Sequence, residues 1–306
     1  MATRFIISID LGGTNLKIAL LDPRYRILSR ETLHTRKFSN KNTLIAAIVY
    51  AVNKVKKENR LNKNNILGVG LGLPGSIDIK RGSVHFFPNI PGWKDVKLRG
   101  ILERKLGLPV FMDNDANLMG LAECTLGAAK GARNAVCITL GTGVGGGIIL
   151  EGKLYRGSSY AAGEIGHIPL NEYGPKCNCG GRACIEAYIG NKRITQEAKR
   201  VFKRNISLEE LSRLANSGHS KARAIWIKAG RRLGMVLAGV INLLNPDCVV
   251  IGGGIANAGK VLFDKIRSTV AEQAMPVQAK HVRILRARLG NDAGLIGAAI
   301  LAAEKA

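Results

Sequence analysis

The segment "FIISIDLGGTNLKIALLD" (5–22) places two apolar, β-rich runs on either side of a turn containing Gly12 and Gly13. The second run returns too soon for a helix to intervene, so the pattern predicts strand, glycine turn, strand. The same order recurs in "AVCITLGTGVGGGIIL" (135–150). A shift of 129 positions lays Leu11 and Gly12 on Leu140 and Gly141, and "SIDLGGT" over "CITLGTG". "ILGVGLGLPG" has its echo in "CVVIGGGIANAG". Such self-similarity predicts two copies of one supersecondary unit, each with its own glycine turn.

Between these units the periodicity changes. Ile45, Ile48, Val52 and Val55 recur at spacings of three and four, predicting a helix over 43–57. Strands follow in "ILGVGLGLPG" and "LPVFMDNDAN", separated by a loop rich in Pro and Gly (81–93). A long helix is predicted over about 222–244, with Trp226, Ala229, Leu233, Val236, Val240 and Leu244 on one face. "DAGLIGAAILAAEKA" reads as a closing helix. The chain of 306 residues, 46% of them hydrophobic, has room for two compact α/β domains and the composition of neither a fibrous nor a disordered protein.

"MATRFIISID" has no small-residue cleavage pattern, and no run of roughly 18 apolar residues would span a bilayer. The expectation is a cytoplasmic chain without a membrane partner. There a disulfide framework is not expected, and Cys124, Cys137 and Cys248 read as solitary buried thiols. The net charge of +24 fits nucleic-acid binding, anionic substrates or a basic host proteome alike. Its richest stretch, Lys192 to Arg232, holds twelve Lys/Arg against three Glu at helical spacing. With only Phe202 and Trp226 among them, too few to interleave for base stacking, it reads as a solvated helix face.

Successive N–H groups in a glycine turn converge on one concavity and bind anions, although a plain hairpin accounts for either turn taken alone. Asp10, entering the first turn, reads as a magnesium ligand acting through water or as a turn-capping carboxylate. There is no P-loop, and "IGGGIANAG" matches a dinucleotide fingerprint only loosely. "DNDAN" by itself reads as an Asx-rich helix cap. "GHIPLNEYGPKCNCGGRACIEAYIG" (166–190) places three cysteines within eight residues, with His167 ten positions upstream of the first.

Taken together and in this order, the segments resemble the ROK family of sugar kinases and sugar-responsive repressors. "DLGGTNLKIAL" and "TLGTGVGGGIIL" are similar to its two phosphate motifs, and "PNIPGW" and "DNDANLMGLAE" to its sugar and catalytic segments. "GEIGHI" followed by "CNCGGRACIEAY" resembles its C-x-C-G-x-x-G-C-x-E signature, with Ala183 at the last glycine, and "NPDCVVIGGGIANAG" its adenosine-side segment.

The resemblance implies an α/β, two-domain actin/hexokinase-like (ribonuclease H-like) ATPase fold with an interdomain cleft. It divides the chain into a smaller domain, 1–114 with 292–306, and a larger one, 115–291, carrying the zinc loop. It implies ATP-dependent phosphorylation of the 6-hydroxyl of a hexose, glucose first, with N-acetylglucosamine or N-acetylmannosamine as alternatives. Asp115 is then the base, and Gly75, Asn89, Asn114, Glu164, His167 and Glu186 join it in binding the sugar. Asp10, Gly12, Gly13, Thr14, Thr142 and Gly143 are assigned to the phosphates and Mg2+, and Gly253 and Gly254 to the adenosine. His167, Cys177, Cys179 and Cys184 are assigned to one structural zinc, a closed Cys₃His set. Asp113 is a second carboxylate beside the base, able to raise its pKa. A homodimer or homotetramer is implied. A sequence-specific nucleic-acid partner is not expected, because the family's repressors carry a helix-turn-helix ahead of the first phosphate motif and here that motif starts at Asp10.

Overall fold

A computed structural model describes residues 4–75, 77–86 and 93–306. In chain order the strands and helices begin β1 Phe5–Leu11, β2 Asn15–Leu21, β3 Ile27–His34, α1 Lys41–Glu58, β4 Ile66–Leu73, β5 Ile77–Asp78, β6 Ser83–Phe86 and β7 Lys94–Val96. They continue α2 Leu98–Leu106, β8 Val110–Asn114, α3 Asp115–Thr125, β9 Ala135–Leu140, β10 Val144–Leu150 and β11 Lys153–Tyr155. The remainder is α4 Glu186–Ile189, α5 Asn191–Phe202, α6 Leu208–Asn216, α7 Ser220–Leu244, β12 Cys248–Gly252, α8 Lys260–Gln273, α9 Pro276–His281, β13 Arg283–Arg286 and α10 Ala293–Lys305.

The chain packs as two units. The first comprises Met1–Ala122, Arg156–Ala162 and Asn291–Ala306, the second Glu123–Tyr155 and Gly163–Gly290. The division falls within α3, between Ala122 and Glu123, rather than at its start, the expected boundary at 114/115.

Among the described residues, each unit holds a five-stranded sheet with one topology, β3-β2-β1-β4-β8 in the first and β11-β10-β9-β12-β13 in the second. In both, an antiparallel hairpin joined by the glycine turn supplies the first two strands of the repeat, and parallel partners follow. The duplication read from the 129-residue shift is therefore structural: β1 answers β9, β2 answers β10, and β4 answers β12.

The helices form where the apolar spacing predicted them. In α1, Leu44, Ile45, Ile48, Ala51, Val52 and Val55 face the sheet, and Asn40 caps the start by accepting from the Asn42 and Thr43 N–H groups. In α7, Trp226, Ala229, Leu233, Val236 and Val240 are buried as expected, while Leu244 is partly exposed. The basic stretch from Lys192 falls on α5 to α7, where Lys192, Arg193, Lys199, Arg200 and Lys228 are solvent-facing. Among the described residues no helix is long and apolar enough to cross a membrane.

The expectation of solitary thiols is corrected. Cys137 and Cys248 lie on neighbouring strands, and Cys124 shares a hydrogen bond with Cys137 that lowers the Cys124 pKa and raises that of Cys137. Sequence separation hid a cluster that strand pairing assembles.

The close approach of α10 to the first sheet fixes where its carboxylates lie. A Cβ on Gly70 of β4 would stand 1.8 Å from the Ala298 carbonyl oxygen, and one on Gly297 would stand 1.9 Å from the Leu118 carbonyl oxygen. Both neighbours are backbone and cannot swing aside. Gly70→Ala is expected to lower the unfolding free energy by about 3 kcal/mol. Gly100→Ala, on α2 where a Cβ meets nothing within 4 Å, should raise it by up to about 1 kcal/mol. Denaturant melts of the two variants test this packing.

Candidate active site and metal centre

The parallel strands of the first unit end in one row: Asp10 pairs in register with Gly72, and Gly72 with Asp113. Ligands of α/β sheets gather at such carboxyl ends. The Asp10 carboxylate lies 3.3 Å from the Lys17 ammonium, which also donates to the Asn291 carbonyl at 2.9 Å. Gly294, early in α10, leaves the room that this carboxylate occupies; a Cβ there would come within 2.7 Å of it. Burial pushes Asp10 above the usual carboxylate range, and Lys17 pulls the other way.

Beside it, the Gly12 N–H donates to the Asn15 carbonyl at 2.9 Å. Thr35 ties the turn back, its N–H donating to the Thr14 carbonyl at 2.8 Å and its hydroxyl to the Gly12 carbonyl at 3.1 Å. Gly13 and Thr14 remain exposed at the tip. With its carbonyls engaged from behind, the turn suits an anion approached by N–H groups.

At the β8–α3 junction the helix-cap reading of "DNDAN" holds locally. Asn114 is the helix cap, its Oδ1 accepting from the Ala116 N–H at 2.9 Å, and its Nδ2 donates to the Gly75 carbonyl at 3.4 Å. Gly75 adopts φ +89°, open to glycine far more readily than to other residues. Asp115 opens α3, half-buried, and accepts from the Ala116 N–H at 2.8 Å. Asp113 is fully buried. Its Oδ1 accepts from the Asn114 N–H and the Asn117 amide, both at 2.8 Å, and its Oδ2 from the Arg156 guanidinium through Nε and Nη2, both at 2.7 Å.

In the second unit, Glu186 reaches the second glycine turn. Its Oε2 accepts from the Val144 N–H at 2.9 Å and occupies the space of a Cβ on Gly143, 2.5 Å away. Gly143 thus makes room for a carboxylate as well as for whatever the turn binds. Thr142 is exposed at the tip, and the Asn191 N–H of α5 donates to the Gly141 carbonyl at 2.9 Å. At the end of β12, Gly253 (φ +87°) is glycine because a Cβ would stand 2.2 Å from the Leu140 carbonyl oxygen, whereas a Cβ on Gly254 would meet nothing within 4 Å.

The cysteine loop of the same unit brings His167, Cys177, Cys179 and Cys184 together, with all four donor atoms within 4.8 Å of one another. Metal–sulfur bonds of about 2.3 Å and a metal–nitrogen bond of about 2.0 Å in a tetrahedron imply sulfur–sulfur separations of about 3.8 Å and sulfur–nitrogen separations of about 3.6 Å. The Cys179–Cys184 sulfurs are 3.7 Å apart, and Cys177 Sγ lies 3.6 Å from His167 Nδ1. These two separations match a four-coordinate ion, and the remaining ones lie within 4.8 Å. Burial pushes the Cys184 thiol up to about 12, while hydrogen bonds from the Gly181 N–H and Cys177 hold Cys179 below the ordinary thiol range. A cation relieves that burial penalty by taking the sulfurs as thiolates.

The other ring nitrogen of His167, Nε2, faces Glu164 Oε2 at 3.8 Å, and Glu164 is exposed. Ala183, at the place of the motif's last glycine, has φ +57°, which accounts for glycine there and costs alanine about 1 kcal/mol.

Within each unit, the expected site residues fall into two groups of contacts. The first unit joins Asn114 to Gly75, followed directly by Asp115, and sets Asp10 in the same row with Lys17. The second joins Glu186 to the Gly143 turn, and His167 to the cysteines and Glu164. Asn89 lies outside the described residues. Lys17 and Arg156 are the charged partners of these carboxylates that the sequence reading does not name; Lys17 carries a faint signal, as the cross-strand partner of Asp10 in the glycine hairpin. Arg156 carried none, being 43 positions from the carboxylate it meets.

Duplicated five-stranded sheets, each opened by a glycine hairpin, define the actin/hexokinase-like class. The chain belongs to the ROK family, whose sequence profile matches residues 6–305. It is 35% identical to the glucokinase of Halalkalibacterium halodurans, over 97% of this chain and 94% of that one. It superposes on the crystal structure of a ROK family glucokinase from Streptomyces griseus in complex with glucose and AMPPNP, with TM-score 0.84 and 32% identity over 98% and 99% of the two chains. It also matches a ROK family transcriptional regulator, TM-score 0.89 and 28% identity, covering 98% of this chain and 78% of that one.

Metal analysis of the purified protein is expected to find one tightly held ion per chain. Cys179→Ser should lose it and melt about 5 °C lower or more; an unchanged metal content would refute the assignment of these four ligands.

Proposed function

We propose that the protein transfers the γ-phosphoryl group of ATP to the 6-hydroxyl of glucose. The observation that carries this reading is the β8–α3 junction. There Asp115 stands at the carboxyl end of a parallel strand, Asn114 is fixed on Gly75, and the neighbouring Asp113 is already matched by Arg156. The likeness to a glucokinase holding glucose and AMPPNP, over nearly the whole chain, supports the substrate class.

In this reading Asp115 accepts the proton of the 6-hydroxyl as its oxygen bonds to the γ-phosphorus and the bond to the β–γ bridging oxygen breaks, releasing ADP. Asn114, Asn89 and the Gly75 backbone orient the sugar, and Glu164, His167 and Glu186 bind its hydroxyls. The turns at Gly12–Thr14 and Thr142–Gly143 hold phosphates through backbone N–H groups, and Gly253 and Gly254 line the adenosine.

Asp10 suits Mg2+. Its desolvated carboxylate already draws one cation, Lys17, and Mg2+ held through water there would neutralise charge on the β- and γ-phosphates. The Cys₃His set suits zinc, which would supply no chemistry to the reaction. It would hold the loop so that His167, ligating through Nδ1, keeps its other nitrogen toward Glu164 and the sugar.

A coupled ADP-release assay with Mg-ATP against glucose, mannose, fructose, N-acetylglucosamine and N-acetylmannosamine tests the proposal. Glucose is expected to lead in kcat/KM by about tenfold or more. Preference for an N-acetylated sugar would move the substrate while keeping the reaction. Sugar binding without turnover by any sugar, together with salt-sensitive DNA binding, would favour a regulator and overturn the proposal.

A further inference from the structure

Asp113 presents an electrostatic problem. A carboxylate with 0% exposure stands two positions before the proposed base, at the end of the same strand. Left as an unmatched anion, it would oppose ionisation of Asp115, and a base that holds its proton cannot accept another. We infer that Arg156 is a positioning residue of the phosphoryl-transfer site, holding Asp113 as a neutralised ion pair so that its charge does not oppose ionisation of Asp115.

The geometry is that of a built pair rather than a surface contact. Both Nε and Nη2 of Arg156 stand 2.7 Å from Asp113 Oδ2. The other oxygen, Oδ1, is taken by the Asn114 N–H and the Asn117 amide, so four donors meet one carboxylate. Two of those donors come from the segment that carries the base. The Arg156 side chain is itself only 20% exposed. Its backbone is fixed by a small loop, in which the Ala162 N–H donates to the Arg156 carbonyl at 3.0 Å and Gly157 turns at φ +71°. That loop, residues 156–162, packs with the first unit although the chain on both sides of it belongs to the second. Delivering this guanidinium to Asp113 gives the excursion a purpose.

Other charged groups around the pair do not substitute for Arg156. β4, which pairs with β8, carries no ionisable side chain. On β1, Asp10 stands two strands away in the same row and has Lys17 at 3.3 Å. On α2 the charges are Arg99, Glu103, Arg104 and Lys105; Glu103 accepts from the Val110 N–H at the opposite end of β8, and the Arg99 guanidinium donates to the Ile79 and Lys80 carbonyls. On α10, Glu304 and Lys305 lie in the last turn, remote from its start beside Asp10. Tyr160 is the remaining ionisable group of the 156–162 loop.

The inference rests on the reading of Asp115 as the base, and its test separates the two. The pH profile of kcat/KM for glucose, at saturating Mg-ATP, should show an acid limb for ionisation of the base. Arg156→Met is expected to move that limb up by about one pH unit, about a tenfold loss of rate below it. The double variant Arg156→Met/Asp113→Asn should bring it back toward its original position, and Arg156→Lys should leave it in place. A rate lowered by the same factor at every pH in Arg156→Met would mean a merely structural clip and would overturn the inference, as would a limb that stays displaced in the double variant. Should Arg156→Met fail to fold, Asp113→Asn alone decides. It removes the neighbouring anion and keeps the guanidinium, so the limb should move to lower pH; an unmoved limb sinks the inference. A wild-type profile with no acid limb removes the Asp115 reading and this inference with it.

Discussion

A carboxylate taken out of water must have its lone pairs met, and the helix that carries the proposed base is secured by two such groups. Near its start, Asp113 collects four donors, two of them from Arg156. Near its end, fully buried Glu123 accepts from the backbone N–H groups of Ala128, Arg288 and Leu289 at 2.7 to 3.1 Å. Each carboxylate is a fixed anion around which backbone has been organised, and substituting either would leave several oriented donors without an acceptor. The strand, the helix and Asp115 between them inherit that rigidity. Catalysis by a positioned base depends on such rigidity, because a proton is transferred over a hydrogen-bond length and tolerates little drift.

The second unit uses the same device around a different centre. Glu186 follows the last cysteine of the metal loop by two residues and caps the turn that holds Thr142 and Gly143. The Asn191 N–H at the start of α5 holds the same turn from the other side. The cysteine cluster therefore does more than close its own loop: it fixes the helix start from which Glu186 reaches the glycine turn. An ion held by these cysteines would act on the glycine turn through covalent chain and one charge-assisted hydrogen bond.

Much of this was legible in the sequence, for identifiable reasons. The two hairpins showed because apolar runs flank glycines at matching positions, and the duplication showed because Leu11–Gly12 and Leu140–Gly141 survive at one offset. The helices α1 and α7 showed through 3.6-residue spacing, and α10 as an apolar closing segment. The four residues of the Cys/His cluster come from a local motif, which is why their grouping holds in space. What stayed hidden depends on folding at long range. The Arg156 pairing spans 43 residues, and nothing in "LYRGSSY" marks it. Cys137 and Cys248 are neighbours because β9 pairs with β12, and Cys124 reaches Cys137 from α3. The glycine at 143 was read as access for phosphate, and its contact with Glu186 was invisible without the fold. The second carboxylate of "DNDAN" is legible as a neighbour of the base, but its partner Arg156 shows only in the fold.

The account turns on Asp115 as the group that takes the sugar's proton. The decisive measurement pairs calorimetric titration of glucose with single-turnover phosphoryl transfer from Mg-ATP, both on Asp115→Asn. The account predicts glucose binding within a few-fold of the wild type and transfer slower by about a thousandfold or more, the size of a lost general base. Transfer within about tenfold of the wild type, with binding intact, would contradict it and return Asp115 to a helix-opening residue.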